Sequence, residues 1–398
     1  MLFNVPRGQG RGSDDPGALS FVSLLVGGVV AAPKLAPFST FSNVTVFVPP
    51  SNYTDPQVLY ARTVELEGGV LLATWENYSP EPPLVYAPIF KSVDGGETWK
   101  EIAKVQDQVN GWGLRYQPFL MSGKQLPTKV GKYPAGTVLL ATNSIPTDLN
   151  YTKIDIYASL DKGYTWNFVS HVASGGAAIP DNGIPAIWEP FLMYYEGNII
   201  TYYSDQRDPL HGQKLVHQTS KDLLTWDAPV DDVAYPTYTD RPGMTTVTKL
   251  PNGKYMMTYE YGGGPTVVAN GYQFPVYYRI NENPLDFNNS VGLPLVSNDG
   301  TQPTSSPYIT WSPVGGVNGT ILVSSGSLTP IFTNQALGAE GAWKTVPTPE
   351  GVSYTRHLRV LCNTDHLLIM GGGHLPPASN NRITVSVIDI AKSLKVAS

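Results

Sequence analysis

The eight residues Ser92-Val-Asp-Gly-Gly-Glu-Thr-Trp99 return later in the chain as Ser159-Leu-Asp-Lys-Gly-Tyr-Thr-Trp166. Both read Ser-x-Asp-x-Gly-x-Thr-Trp, and a turn kept in register implies a repeated supersecondary unit. Aspartate suits the turn because its carboxylate accepts bonds from backbone N–H groups a few residues on. Glycine supplies a positive φ without steric cost. Threonine returns the chain to a strand, and tryptophan caps the gap between neighbouring sheets. Thr219-Ser-Lys-Asp-Leu-Leu-Thr-Trp226 is a shortened relative. Around these turns one phrase recurs: an apolar strand, a turn, then a second apolar strand. Its copies run Arg62–Glu76, Gln117–Thr142, Glu189–Ser204, Gly243–Glu260, Pro307–Ser324 and His357–Met370. An outer hairpin follows each copy. The fourth and fifth hairpins have lost the turn motif, and the sixth offers one clear strand, Arg382–Ile388. Asn43–Val48 can supply its missing partner, closing the ring and removing free sheet edges.

These turns resemble the Asp-box of sialidase-type propellers, where the box joins the two outer strands of a blade on the face away from the ligand. The expected fold is therefore all-β: a six-bladed, sialidase-like β-propeller with Asp-box turns, one domain over residues 43–398. Five blades is the competing count.

Composition narrows the partners. The formal net charge of −6 and a charged fraction of only 15% argue against nucleic acid or an anionic membrane. Cys362 is the sole cysteine, which excludes an intrachain disulfide and, with no metal-ligand spacing among the histidines, argues against a zinc site; no metal and no cofactor are expected. Residues 1–32 read as a secretory leader: an apolar run from Ala18 to Ala32 follows Arg7 and Arg11, although the leader is long and also holds Asp14 and Asp15. Sequons at Asn43, Asn52, Asn77, Asn150, Asn288 and Asn318 fit a secreted glycoprotein. A monomer is expected.

In a propeller, the loops leading into the first strand and out of the second strand of each blade meet at one end of the axis. On the way in this register places Arg62, Gln117, Glu189, Arg241 and Tyr354/Arg356; on the way out it places Glu76/Asn77, Asn143, Asp205/Arg207, Glu260 and His374. Glu189 follows Trp188 at the threshold of an apolar strand, where desolvation raises a carboxyl pKa and suits a general acid. Glu260 ends an apolar strand between Tyr259 and Tyr261 and runs into glycines that let a ligand approach. Two such carboxylates are what glycoside cleavage requires. Arg62, Arg241 and Arg356 could grip a sugar carboxylate or bond neutral hydroxyls. Trp112 and Trp188 could stack on sugar faces, and Asn77, Gln117 and Tyr259 complete the expected substrate contacts.

Ile187-Trp-Glu-Pro-Phe-Leu192, Asp240-Arg-Pro-Gly-Met244, Tyr259-Glu-Tyr-Gly262 and Tyr354-Thr-Arg356 together resemble the exo-α-1,5-L-arabinanases of glycoside hydrolase family 93. The likeness covers nearly the whole chain after the leader. It implies cleavage of linear arabinan from the non-reducing end, release of arabinobiose and retention of configuration. It also implies Glu189 as acid/base, Glu260 as nucleophile and Tyr354 as the residue that hydrogen-bonds the nucleophile. Retention predicts carboxyl groups about 5–5.5 Å apart, against about 6.5–9.5 Å for inversion. Two rival functions remain open from the residues themselves: a sialidase-like exo-enzyme using an arginine triad, and a non-catalytic carbohydrate-binding propeller.

Overall fold

A computed structural model describes residues 39–122, 125–267 and 271–396. The expected leader lies outside the described residues. Among the described residues, six four-stranded antiparallel sheets form the propeller. Blade one is Val58–Glu65, Leu71–Asn77, Ala87–Ser92 and Lys100–Val105; blade two is Gly113–Met121, Val138–Ile145, Thr152–Ser159 and Asn167–Gly175. Blade three is Ile187–Tyr195, Asn198–Asp205, Lys214–Ser220 and Val230–Val233; blade four is Arg241–Lys249, Tyr255–Gly262, Val276–Asn281 and Leu293–Pro294. Blade five is Tyr308–Ser312, Thr320–Ser324, Ile331–Asn334 and Trp343–Val346. Blade six takes Arg356–Val360, His366–Gly371 and Ile383–Asp389, and its outer strand is Phe41–Phe47 from the other end of the chain. The ring is thus closed by pairing the N-terminal strand to the last one, as the unpaired sixth hairpin required.

The inner strands are almost continuously apolar because both faces of each sheet are covered by neighbouring blades. Leu71, Leu72 and Ala73 are fully buried, as are Ile199 and Ile200. Leu71 and Ala73 pack with Met370 and Val385 of blade six, while Leu72 packs with Leu120 and Leu140 of blade two. Period-2 alternation sends successive side chains to opposite neighbours, so one strand serves two interfaces.

The repeated turns join the third and fourth strands. In the first, Asp94 accepts the Thr98 N–H at 3.0 Å and the Thr98 hydroxyl at 2.5 Å, and Ser92 Oγ accepts the Gly96 N–H at 2.9 Å. The second repeats this set with Asp161, Thr165, Ser159 and Gly163. The glycine is dictated twice over. Its φ is +101° at Gly96 and +96° at Gly163, and a methyl group at Gly163 would stand 2.8 Å from Leu72 Cδ1 of blade one. Blade five, where sequence reading found no box, keeps the turn by other means. Asn334 Oδ1 accepts the Gly338 N–H at 3.0 Å, Gly338 has φ +86°, and Trp343 fills the tryptophan position fully buried. An asparagine stands for the serine and the spacing to tryptophan is longer, so the pattern was hidden.

Candidate active site

The axial end of the propeller is built from one backbone device used repeatedly. The innermost strands of blades one to four each break register near their start, between Leu59 and Arg62, Tyr116 and Phe119, Trp188 and Phe191, and Gly243 and Thr246. Inside each break sits a non-glycine residue in the left-handed region: Tyr60 (φ 57°), Gln117 (51°), Glu189 (61°) and Met244 (58°). Ser306 (φ 38°) takes the same place just before the inner strand of blade five. Each such residue costs on the order of 1–3 kcal/mol and persists only where its surroundings fix it.

The return on that strain is a ring of N–H groups released from the ladder. Gln117 N donates to Glu76 Oε1 at 3.0 Å, and Glu189 N to Gln117 Oε1 at 3.3 Å. Met244 N donates to Glu189 Oε2 at 2.8 Å, and Ser306 N to Glu260 Oε2 at 2.7 Å. Tyr60 N closes onto the Tyr354 carbonyl at 2.9 Å. Every one of these bonds crosses from one blade to its neighbour, and three of them end on a glutamate.

Glu189 also accepts the Ser204 hydroxyl, at 2.5 Å on Oε2. Glu260 sits opposite Gly243 in the ladder of blade four. A methyl group at Gly243 would stand 3.5 Å from Glu189 Oε2 and 3.6 Å from Glu260 Oε1. Those two oxygens therefore lie no more than about 7 Å apart, a bound that a retaining pair meets. Burial, then the Glu189 charge, pushes the Glu260 carboxyl up to about 8, against the Ser306 N–H and Arg241. Glu189 is raised by burial too, opposed by Ser204, the Met244 amide, Arg241 and Arg62. Two such groups titrate as a pair and retain one proton where free carboxyls have lost both.

The other expected contacts divide. Arg62 is buried at the axis, bonded to the Ala61 carbonyl at 2.9 Å and to Thr355 Oγ1, with its guanidinium 4.0 Å from the Tyr60 ring centroid. Arg241 donates to Asn182 Oδ1 and to Gln213 Oε1 at 2.8 Å, and its charge counters both glutamates. Gln117 is the bridge described above. Tyr354 feels both Glu189 and Glu260, yet its hydroxyl donates to Met244 Sδ at 3.5 Å; the bond expected to Glu260 is not the one it makes. With Leu59, Tyr60, Met244 and Tyr78 it forms an apolar wall beside the carboxylates.

Five candidates make other contacts. Arg356 is wholly buried and its guanidinium donates to the carbonyls of Leu328 (2.7 Å), Thr329 (2.7 Å), Pro330 (3.3 Å) and Glu350 (3.3 Å) and to Thr348 Oγ1 (2.7 Å). It binds blade five to blade six, and no triad with Arg62 and Arg241 forms. Tyr259 lies on the sheet face opposite Glu260, with its hydroxyl 2.7 Å from that of Tyr235. Asn77 likewise alternates with its neighbour Glu76 along the second strand of blade one and is buried beside Tyr53. Trp188 packs with Ile145, Ala178 and Ala186 and donates its indole N–H to Gln206. Trp112 is half-exposed but stacked on Tyr151 (5.7 Å, 10°) and covered by Lys153 Nζ at 4.9 Å.

Sequence reading did not single out Glu76, Ser204, Gln213, Gly243 or Ser306. Gly243 lay inside a quoted motif and Glu76 at a named exit position. Ser204, Gln213 and Ser306 carry no signal without the register of the neighbouring blade. Among the described residues no cluster of His, Cys, Asp or Glu could hold a metal ion, and no helix is long and apolar enough to cross a membrane.

No family model and no curated protein matches the chain. Solved structures do. The GH93 alpha-L-arabinofuranosidase of Fusarium graminearum, seen with arabinobiose and with an iminosugar inhibitor, is 57% identical, with a TM-score of 0.88 over 89% of this chain and 99% of that one. The alpha-L-arabinanase of Penicillium chrysogenum, complexed with arabinobiose, is 53% identical, with a TM-score of 0.85 over 90% of this chain and 100% of that one. A sialidase from Streptococcus pneumoniae shares the fold at 11% identity and a TM-score of 0.53, over 89% of this chain and 71% of that one. With a six-bladed ring, two axial glutamates facing one glycine, and full-length likeness at this identity, the chain belongs to glycoside hydrolase family 93 and is a glycoside hydrolase.

Proposed function

We propose that this enzyme cleaves linear α-1,5-L-arabinan from its non-reducing end, releases arabinobiose and retains anomeric configuration. The observation that carries the reading is the Glu189–Glu260 pair facing each other across Gly243. Its relatives' complexes with arabinobiose support the substrate class. Glu260 attacks the anomeric carbon as the bond to the departing sugar oxygen breaks, and protonated Glu189 gives that oxygen its proton. The resulting glycosyl ester is opened by water, which loses a proton to Glu189 as Glu260 is released. The shared proton of the free pair is drawn to Glu189 as positive charge develops at the anomeric carbon beside Glu260 and favours its ionised form. Ser306 N–H holds the Glu260 oxygen while it is the leaving group of the second step. Tyr354, Tyr60 and Met244 exclude water from one side.

A neutral sugar fits better than an acidic one. Arg356 is committed to carbonyls, so the three-arginine grip that a sugar carboxylate calls for is not assembled. The carbohydrate-binding alternative would repeat one site in every blade, whereas the axial residues differ from blade to blade. We read the protein further as a secreted monomeric glycoprotein. Asn43, Asn52, Asn150 and Asn288 are exposed sequon residues; Asn77 is only 2% exposed and is not a glycan acceptor in the folded chain. Incubation with linear arabinan and with non-reducing-end-capped arabinan tests the activity. Arabinobiose from the first and nothing from the second is expected; a ladder of internal fragments, or binding without cleavage, overturns it.

A further inference from the structure

Glu76 takes no step in the reaction above, yet it is a buried axial carboxylate linked to Glu189 through Gln117. It is 3% exposed. Its Oε1 accepts the Gln117 N–H at 3.0 Å and its Oε2 the Tyr78 hydroxyl at 2.7 Å. Gln117 in turn accepts the Glu189 N–H at 3.3 Å on its side-chain oxygen. One residue, fixed in left-handed backbone, therefore binds Glu76 through its main chain and Glu189 through its side chain. Among the described residues no lysine or arginine bonds Glu76; Arg62 is committed to Ala61 and Thr355. A buried carboxylate without a bonded cation is unfavourable, and a glutamine could keep the Gln117 N–H on its one oxygen and donate its amide to the Tyr78 hydroxyl at lower desolvation cost.

We propose that Glu76 is a positioning residue whose negative charge, set beside the Glu189–Glu260 pair, keeps the proton on Glu189 until the departing sugar oxygen takes it. The inference rests on the reading of Glu189 as general acid. The charged and titratable groups around Glu76 are Arg62 and Tyr60 of its own blade, Tyr78 after that blade's second strand, Tyr116 of blade two, Glu189 of blade three and Tyr354 ahead of blade six. Arg62 is the one cation among them, and its charge is divided between Glu76 and Glu189. Burial, opposed by the Tyr78 and Gln117 donors, brings the Glu76 carboxyl up to about 7. Below that pH Glu76 is neutral and adds nothing. The Glu189 charge raises Glu76, and because such coupling is mutual a charged Glu76 opposes ionisation of Glu189.

The test is the pH profile of kcat/KM for wild type and Glu76→Gln. On arabinan, the alkaline limb of E76Q moves to lower pH by on the order of one unit, with its melting temperature close to wild type. On an aryl arabinobioside with a nitrophenol leaving group, which departs without a proton, kcat/KM changes by less than about twofold. Tyr78→Phe, which removes a donor to the Glu76 carboxylate, moves the limb the same way by a smaller amount. An unmoved limb in both variants, or equal losses on both substrates, overturns the role of Glu76 and makes it a structural residue. Glu189→Gln measured in parallel separates the two levels: if it still hydrolyses arabinan, the general-acid reading itself fails.

Discussion

Gly243→Ala tests whether the space between the two axial glutamates is the reaction space. Gly243 does not lie in the left-handed region, so alanine fits its backbone without strain. The added methyl would meet Gln213 Nε2 at 2.8 Å, and Glu189 Oε2 and Glu260 Oε1 at 3.5 and 3.6 Å. The contacts to the two carboxylates are ordinary van der Waals distances. The contact to Gln213 is not, and that amide must retreat by roughly 0.7 Å or more to reach normal separation. Retreat strains its bond to the Pro242 carbonyl (2.9 Å) and its hold on Arg241 (2.8 Å). A lost buried hydrogen bond is worth about 1 kcal/mol, so the melting temperature falls by only a few degrees. Catalysis suffers far more. The methyl occupies the gap the anomeric carbon must enter, and displacement of a substrate by about 1 Å costs on the order of 100-fold. Initial rates on arabinan paired with a thermal melt read both effects. A G243A enzyme with kcat/KM within about threefold of wild type would refute the placement of the reaction between these carboxylates.

Further outcomes follow from the same geometry. Glu260→Gln abolishes turnover while leaving the melt at acidic pH intact, whereas Glu189→Gln keeps much of its kcat/KM on the nitrophenyl glycoside, with kcat lowered because the ester is opened without its base, and loses kcat/KM on arabinan; equal losses of kcat/KM on both substrates would contradict the assigned roles. Arg356→Ala leaves a cluster of buried carbonyls without donors and destabilises by about 3 kcal/mol or more; a substrate-specific rise in KM with no change in the melt would instead return Arg356 to the site. Asp161→Ala removes the bonds to Thr165 and lowers stability by about 1 kcal/mol with kcat/KM unchanged, because that turn lies on the outer hairpin. Stability also depends on pH through the raised carboxyls. The unfolded chain ionises near 4.3, while Glu76 and Glu260 hold their protons to about 7 and 8. The folded state binds more protons in that interval, so the melting temperature falls as pH rises from about 4.5 to 8; E260Q flattens the slope, and a slope of opposite sign would refute the shifts.

Legibility in the sequence followed the locality of the forces. The box turns are closed by bonds within eight residues, so Asp94 and Asp161 announced them, and six copies of the strand pair gave the ring. The substituted box at Asn334 escaped because the same bond pattern is made by a different residue over a longer loop. Glu189 and Glu260 could be picked out because a strand-end carboxylate in an apolar setting is conspicuous. Which of two adjacent residues faces the axis was not legible. Asn77 was expected to contact substrate alongside the exit residue Glu76, and Tyr259 alongside Glu260, whereas strand alternation turns the two glutamates inward and sends those neighbours into the blade. Arginine is equally ambiguous: Arg62 and Arg356 occupy similar repeat positions, and only the loop Leu328–Pro330 decides that one is consumed by carbonyls. The register breaks at Tyr60, Gln117, Glu189 and Met244 are the least visible feature, because non-glycine residues hold them and tertiary hydrogen bonds fix them.

The stereochemistry of the first product tests the double-displacement account most directly. Proton NMR during the first turnovers, before mutarotation, reports the anomer of the sugar released from α-linked arabinan. The account predicts the α-anomer, formed through an ester on Glu260. Initial release of the β-anomer would show a single displacement by water, and would contradict Glu260 as nucleophile.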